Sequence, residues 1–107
     1  MKTALVTGAA RGLGRAIATD LAQDHQVAIT YNTTAPDALL QDCPDICTIQ
    51  ADLSDPAAAP GVIAHIMDRF GRLDVLVNNA GAIAPNAVDD VTCEGVQTTF
   101  DVNVIAP

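Results

Sequence analysis

The sequence is poor in aromatic side chains and in positive charge. Only three of its 107 residues are aromatic, Tyr31, Phe70 and Phe100, while alanine alone occurs 19 times. A core must therefore be assembled from small aliphatic groups. With half the residues apolar, disorder is not expected. Five basic residues face 13 acidic ones, a formal net charge of −8, and no lysine or arginine occurs between Ala16 and Asp68, a stretch with eight aspartates. Surfaces that hold phosphate backbones or anionic bilayers need clustered Lys and Arg. Neither nucleic acid nor membrane is an expected partner. No apolar run reaches the roughly 18 residues of a membrane span. The start, Met1 to Gly8, breaks too early for a signal peptide, so a cytoplasmic protein is expected. The length suits one domain, residues 1–107.

The three cysteines, Cys43, Cys47 and Cys93, cannot all pair, and Cys43-x-x-x-Cys47 lacks a second ligand pair at zinc spacing. They read as reduced thiols, and no metal is expected. His25 and His65 lie apart from any ligand set and are assigned no chemistry.

The periodicity alternates between strand and helix. Thr3–Thr7 is a short apolar run closed by Gly8, as in a strand buried on both faces. From Gly12, Leu13, Ile17 and Leu21 recur at helical spacing, and the helix should end near Asp24 or His25. Val27–Tyr31 is the next strand. Thr33 and Thr34 signal the N-cap of a short helix through about Gln41, and Ile46–Gln50 is a third strand. Ser54-Asp55-Pro56 opens a helix whose apolar face is Val62, Ile63, Ile66, Met67 and Phe70. Pro60 should leave its first turn irregular, with regular helix from about Pro60 to Gly71. Leu73–Val77 reads as a fourth buried strand, and Asp89–Pro107 as partly helical, with Val91, Val96, Phe100 and Val104 on one side. Such alternation implies right-handed crossovers and an α/β fold: a three-layer, doubly wound parallel sheet of about four strands with helices on both faces.

The segment Thr7-Gly8-Ala9-Ala10-Arg11-Gly12-Leu13-Gly14 stands where the first strand meets the first helix. Gly12 and Gly14 each cost a helix roughly 0.5–1 kcal/mol relative to alanine. A pyrophosphate would explain them: missing β-carbons let it approach, and free amides at a helix start donate to it. The alternative is a glycine-rich turn with no ligand.

The spacing G-x-x-x-G-x-G, together with Asn78-Asn79-Ala80-Gly81 after the fourth strand, closely resembles the classical short-chain dehydrogenase/reductase family. The resemblance implies a Rossmann-type cofactor-binding portion, its parallel sheet truncated after about four strands in the order 3-2-1-4. Gly8, Arg11, Gly12, Leu13 and Gly14 would line the cofactor phosphates, and Asn79, Ala80 and Gly81 would lie along the cofactor. Asp52-Leu53 resembles the family's acidic-aliphatic pair, whose aspartate accepts from the adenine amino group; otherwise Asp52 caps the next helix. Asn103 resembles the helix asparagine that organises a proton relay near the catalytic lysine; otherwise it bonds its own backbone or solvent.

An NAD site usually carries an acid at the tip of the second strand, about twenty residues past the glycines, for the ribose 2′-hydroxyl. Here the tip is Thr30-Tyr31-Asn32-Thr33, with no acid before Asp37. Tyr31 and Asn32 would form the cofactor rim, and Arg11 could pair with a 2′-phosphate. NADP is therefore expected over NAD. In the alternative Arg11 is a solvated loop cation.

Family members use a serine, a tyrosine and a lysine, the last two as Tyr-x-x-x-Lys. This sequence holds one tyrosine (Tyr31), one lysine (Lys2) and one serine (Ser54), none placed for those roles. The resemblance thus covers the N-terminal, cofactor-binding half of the family's architecture. The leading expectation is an NADP-dependent oxidoreductase moving a hydride between nicotinamide and a carbonyl or alcohol substrate. One alternative is a nucleotide-binding fragment or sensor without turnover, and another is an interaction role for Glu94–Pro107. The beginning is also similar to 3-oxoacyl-carrier-protein reductases, a possible substrate class. Val75–Val77 would be an apolar sheet edge, from which self-association, a homo-oligomer, is expected.

Overall fold

A computed structural model describes residues 1–81, 92–105 and 107. Thr3–Val6 forms β1, every residue of which is buried. It lies between β2 (Gln26–Tyr31) and β4 (Val75–Val77), and β3 (Cys47–Gln50) flanks β2. All pairings are parallel, with Leu5 opposite Ala28 and Leu76, so the order is β3-β2-β1-β4. The helices are α1 (Gly12–Leu21), α2 (Asp37–Asp42), α3 (Ala58–Phe70) and α4 (Cys93–Phe100), the last running into a π-helical turn over Asp101–Ile105.

Successive residues of a strand face opposite sides of a sheet, and the two sides carry two cores. Val6, Val27 and Ile29 pack with Ala18, Leu39 and Ile46 on the face that α1 and α2 cover. Leu5, Ala28 and Cys47 pack with Val62 and Ile66 of α3 on the other. Leu5, Ile29, Leu39 and Ile66 are each no more than 1% exposed. Burial of each such side chain contributes about 1.5–3 kcal/mol. This is the expected three-layer arrangement.

Several expectations are corrected. α1 ends at Leu21, with turns to Asp24, and Leu13 is 71% exposed, so Ile17, Ala18 and Leu21 carry its inward face. α2 begins at Asp37 after Pro36, with no side-chain cap from Thr33 or Thr34. The start of α3 is irregular as anticipated, but regular helix begins at Ala58, which puts Pro60 in the first turn, where its missing N–H costs nothing. Ile63 and Met67 of α3 are exposed, so its buried stripe narrows to Val62 and Ile66. β4 is only Val75–Val77 and is not fully buried: its middle residue, Leu76, is 46% exposed, and among the described residues the strand pairs with β1 alone. At its start, Asp74 replaces further ladder bonds: its amide donates to Thr3 O at 2.9 Å and its carboxylate accepts from Thr3 N at 2.9 Å. Val96, Phe100 and Val104 are exposed, while Val91 lies outside the described residues.

Candidate functional site

The C-terminal ends of parallel strands whose crossovers diverge leave a crevice. At those ends, an open cavity of about 450 Å³ is bordered by the turn after β1, the tip of β2, the segment after β3 and the segment after β4. Gly8, Arg11, Gly12, Tyr31, Asn32, Asp52, Leu53, Asn79, Ala80 and Gly81 all line it. Leu13 and Gly14 lie outside the lining, and Asn103 is represented there by its neighbour Val102. Asn103 nonetheless approaches: its Oδ1 is 3.2 Å from where a β-carbon on Gly81 would stand.

The three glycines of the motif have three different causes. Gly8 has φ +63° and lies so close to the chain after β4 that a β-carbon would meet Ala80 Cα at 2.9 Å. Gly14 is buried, and a β-carbon there would collide with the Asn79 side-chain amide and stand 2.7 Å from Gly8 O. Gly12, also at φ +63°, has nothing within 4 Å of that position. Bare backbone at Gly8 and Gly14 thus serves internal close packing. Gly12 alone has open space beside it.

A hydrogen-bond cluster fixes these pieces. Thr7 Oγ1 accepts from the amides of Asn79 (3.1 Å) and Ala80 (3.0 Å), and Asn79 Nδ2 donates to Thr7 O (3.1 Å) and Gly8 O (3.0 Å). From the other side, Gly8 N donates to Thr30 Oγ1 and Ala9 N to Thr30 O, both at 3.0 Å. The glycine turn is therefore clamped between the ends of β2 and β4. Thr7 and Thr30 carry this clamp, although their residue type in an apolar run reads merely as strand-forming; buried hydroxyls at strand ends were the available signal.

The N-cap of α1, Arg11, is extended at φ −154° and its side chain makes no capping bond among the described residues. The amides of the first helical turn have no partner within a helix, and here none comes from the cap residue. Among the described residues Arg11 has no carboxylate partner. Asp52 is the carboxylate of the cavity lining. It accepts from Ser54 N at 3.0 Å and Ser54 Oγ at 2.7 Å, and these bonds hold its carboxyl below the usual range. Asp52 thus closes a turn of its own and does not cap α3, whose N-cap Ala57 has no side-chain cap. No helix among the described residues is long and apolar enough to cross a membrane, and no group of three or more metal-ligating side chains occurs among them.

A family profile described as short chain dehydrogenase matches residues 2–107. The chain belongs to the short-chain dehydrogenase family. Its relatives in this family include an uncharacterized oxidoreductase of Methylorubrum extorquens, 40% identical over 97% of this chain and 45% of that protein. A short-chain dehydrogenase from Burkholderia cenocepacia, solved in complex with NADP, superimposes with a TM-score of 0.91 at 42% identity, over 98% of this chain and 46% of that one. A blue fluorescent protein from a metagenomic library, solved with NADPH, gives a TM-score of 0.90 at 36% identity, over 99% and 47%. The chain spans less than half the length of these relatives.

Proposed function

We propose that this chain is the cofactor-binding half of an NADP-dependent oxidoreductase that moves a hydride between nicotinamide and a carbonyl or alcohol substrate. The observation that carries this reading is the uncapped start of α1, with Gly12 bare and facing open space, at the mouth of a crevice built from strand ends. Such a helix start attracts a pyrophosphate through its free amides and its dipole. The residues present fit the group. Arg11 and Gly12 line the phosphate end, with the amides of Leu13 and Gly14 behind them in the same helical turn. Gly8 shapes the turn itself. Tyr31 and Asn32 border the adenosine ribose, Asp52 and Leu53 the adenine, and Asn79, Ala80 and Gly81 the length of the cofactor. Asn103, beside Gly81, would order a proton path rather than exchange a proton itself.

NADP is preferred because the tip of β2 offers no acid to a 2′-hydroxyl, while Arg11, without a carboxylate partner among the described residues, is available to a 2′-phosphate. When bound, the cofactor supplies the hydride. Residues 1–107 act as one dinucleotide-binding unit. A homo-oligomer belongs to the same proposal, and so does a cytoplasmic setting, supported by three free thiols. Fluorescence titration of the protein with NADPH and NADH tests the reading. Tighter binding of NADPH supports it; no binding of either, or equal binding, refutes it.

A further inference from the structure

We propose that Gln50 is a positioning residue that sets the preference between the two nicotinamide cofactors by holding the chain after β2. The proposal rests on the function proposed above. Tyr31 and Gln50 form the last register pair between β2 and β3, and Ala51 N closes that ladder on Tyr31 O at 2.9 Å. Beyond this point β3 turns away toward Asp52, and the backbone of Asn32 has lost its neighbouring strand. Gln50 extends the ladder by one residue with its side chain, donating from Nε2 to Asn32 O at 3.1 Å. Among the described residues no other side chain is bonded to residues 32–34.

That segment forms a wall of the cavity. Asn32, Thr33 and Thr34 line it together with Arg11, and all three are exposed bends rather than strand or helix. Their hydroxyl and amide groups are the polar atoms available there to a charged group on the adenosine ribose. Charge-assisted bonds to a phosphate depend on donor placement, and ordering a loose segment on binding weakens affinity. Gln50 supplies the order in advance. A bare ribose hydroxyl draws less on these donors than a phosphate does, so the effect of Gln50 falls on NADPH and spares NADH. An exposed hydrogen bond of this type is worth a modest factor, about three- to tenfold in affinity.

The test compares the parent protein with Gln50→Ala and Gln50→Glu, measuring NADPH and NADH affinities by fluorescence and the urea midpoint of each. Gln50→Ala is expected to weaken NADPH about three- to tenfold with NADH essentially unchanged. Gln50→Glu should weaken NADPH further, since a carboxylate cannot donate to Asn32 O and repels a phosphate. Unchanged urea midpoints would show that the fold is intact. Equal weakening of both cofactors, or an unaltered NADPH to NADH ratio, overturns the proposal. A parent that prefers NADPH while Gln50→Ala keeps the ratio defeats the role of Gln50 alone. A parent that binds neither cofactor defeats the underlying reading as well.

Discussion

The side-chain amide of Asn79 occupies the space that a β-carbon on Gly14 would need. Asn79 cannot retreat, because its Nδ2 is bonded to both Thr7 O and Gly8 O. Gly14→Ala should therefore destabilise the protein by about 1–3 kcal/mol through overpacking. Gly12→Ala meets no neighbour and suffers only the left-handed backbone cost, roughly 1–2 kcal/mol. Urea unfolding of the two variants should also be set against NADPH titration: Gly12→Ala should lose affinity beyond what its small stability loss explains.

Thr7→Val keeps the shape of a buried side chain but removes the oxygen that accepts from two backbone amides. An unsatisfied buried donor costs about 1–3 kcal/mol, and a loss in that range is expected from chemical denaturation. Thr7→Ser, which keeps the oxygen, should lose less than Thr7→Val.

Acid should loosen β4 through Asp74. Hydrogen bonds from Arg72, then from Thr3 N, lower its carboxyl to about 2. Because the folded value is depressed, the carboxylate stabilises the fold fully above the unfolded value, near pH 4. That contribution is lost as pH falls from there through about 2. Asp74→Asn should lower the urea midpoint at neutral pH, with the gap from the parent shrinking as acid is added. A gap that stays constant down to pH 2 would contradict this assignment.

The alternation of elements was legible because it follows from periodicity, while the strand order and most of the cavity lining were legible only through the family resemblance that two motifs at strand ends carry. The cause of each glycine was not. A sequence records that bare backbone is required at Gly8 and Gly14, but the groups that require it, Ala80 and Asn79, come from more than sixty residues away. Leu13 misled for a related reason: its spacing suits an apolar stripe, yet the sheet offers no surface so near the start of α1. Thr33 and Thr34 have the right chemistry for a cap, but α2 begins after Pro36, and their place is the cavity wall.

Cofactor preference should follow charge at the cavity rim. Arg11→Ala is expected to weaken NADPH by about tenfold or more and NADH by less, since a hydrogen-bonded charge contributes about 1.5–3 kcal/mol and NADH lacks the 2′-phosphate. Asn32→Asp should shift preference toward NADH by placing an acid where a 2′-hydroxyl can use it and a 2′-phosphate cannot. Parallel titrations with both cofactors check each variant.

The central claim is that peptide nitrogens at the start of α1 hold a pyrophosphate. Backbone amide spectra of the isotopically labelled protein, recorded during addition of NADP, test it most directly. The amides of Gly12 and Leu13 should show the largest shifts and saturate together with those of Asn32 and Ala80. Amides of Gly12 and Leu13 that stay fixed while the cofactor binds elsewhere, or a spectrum that does not change at all, would contradict the account.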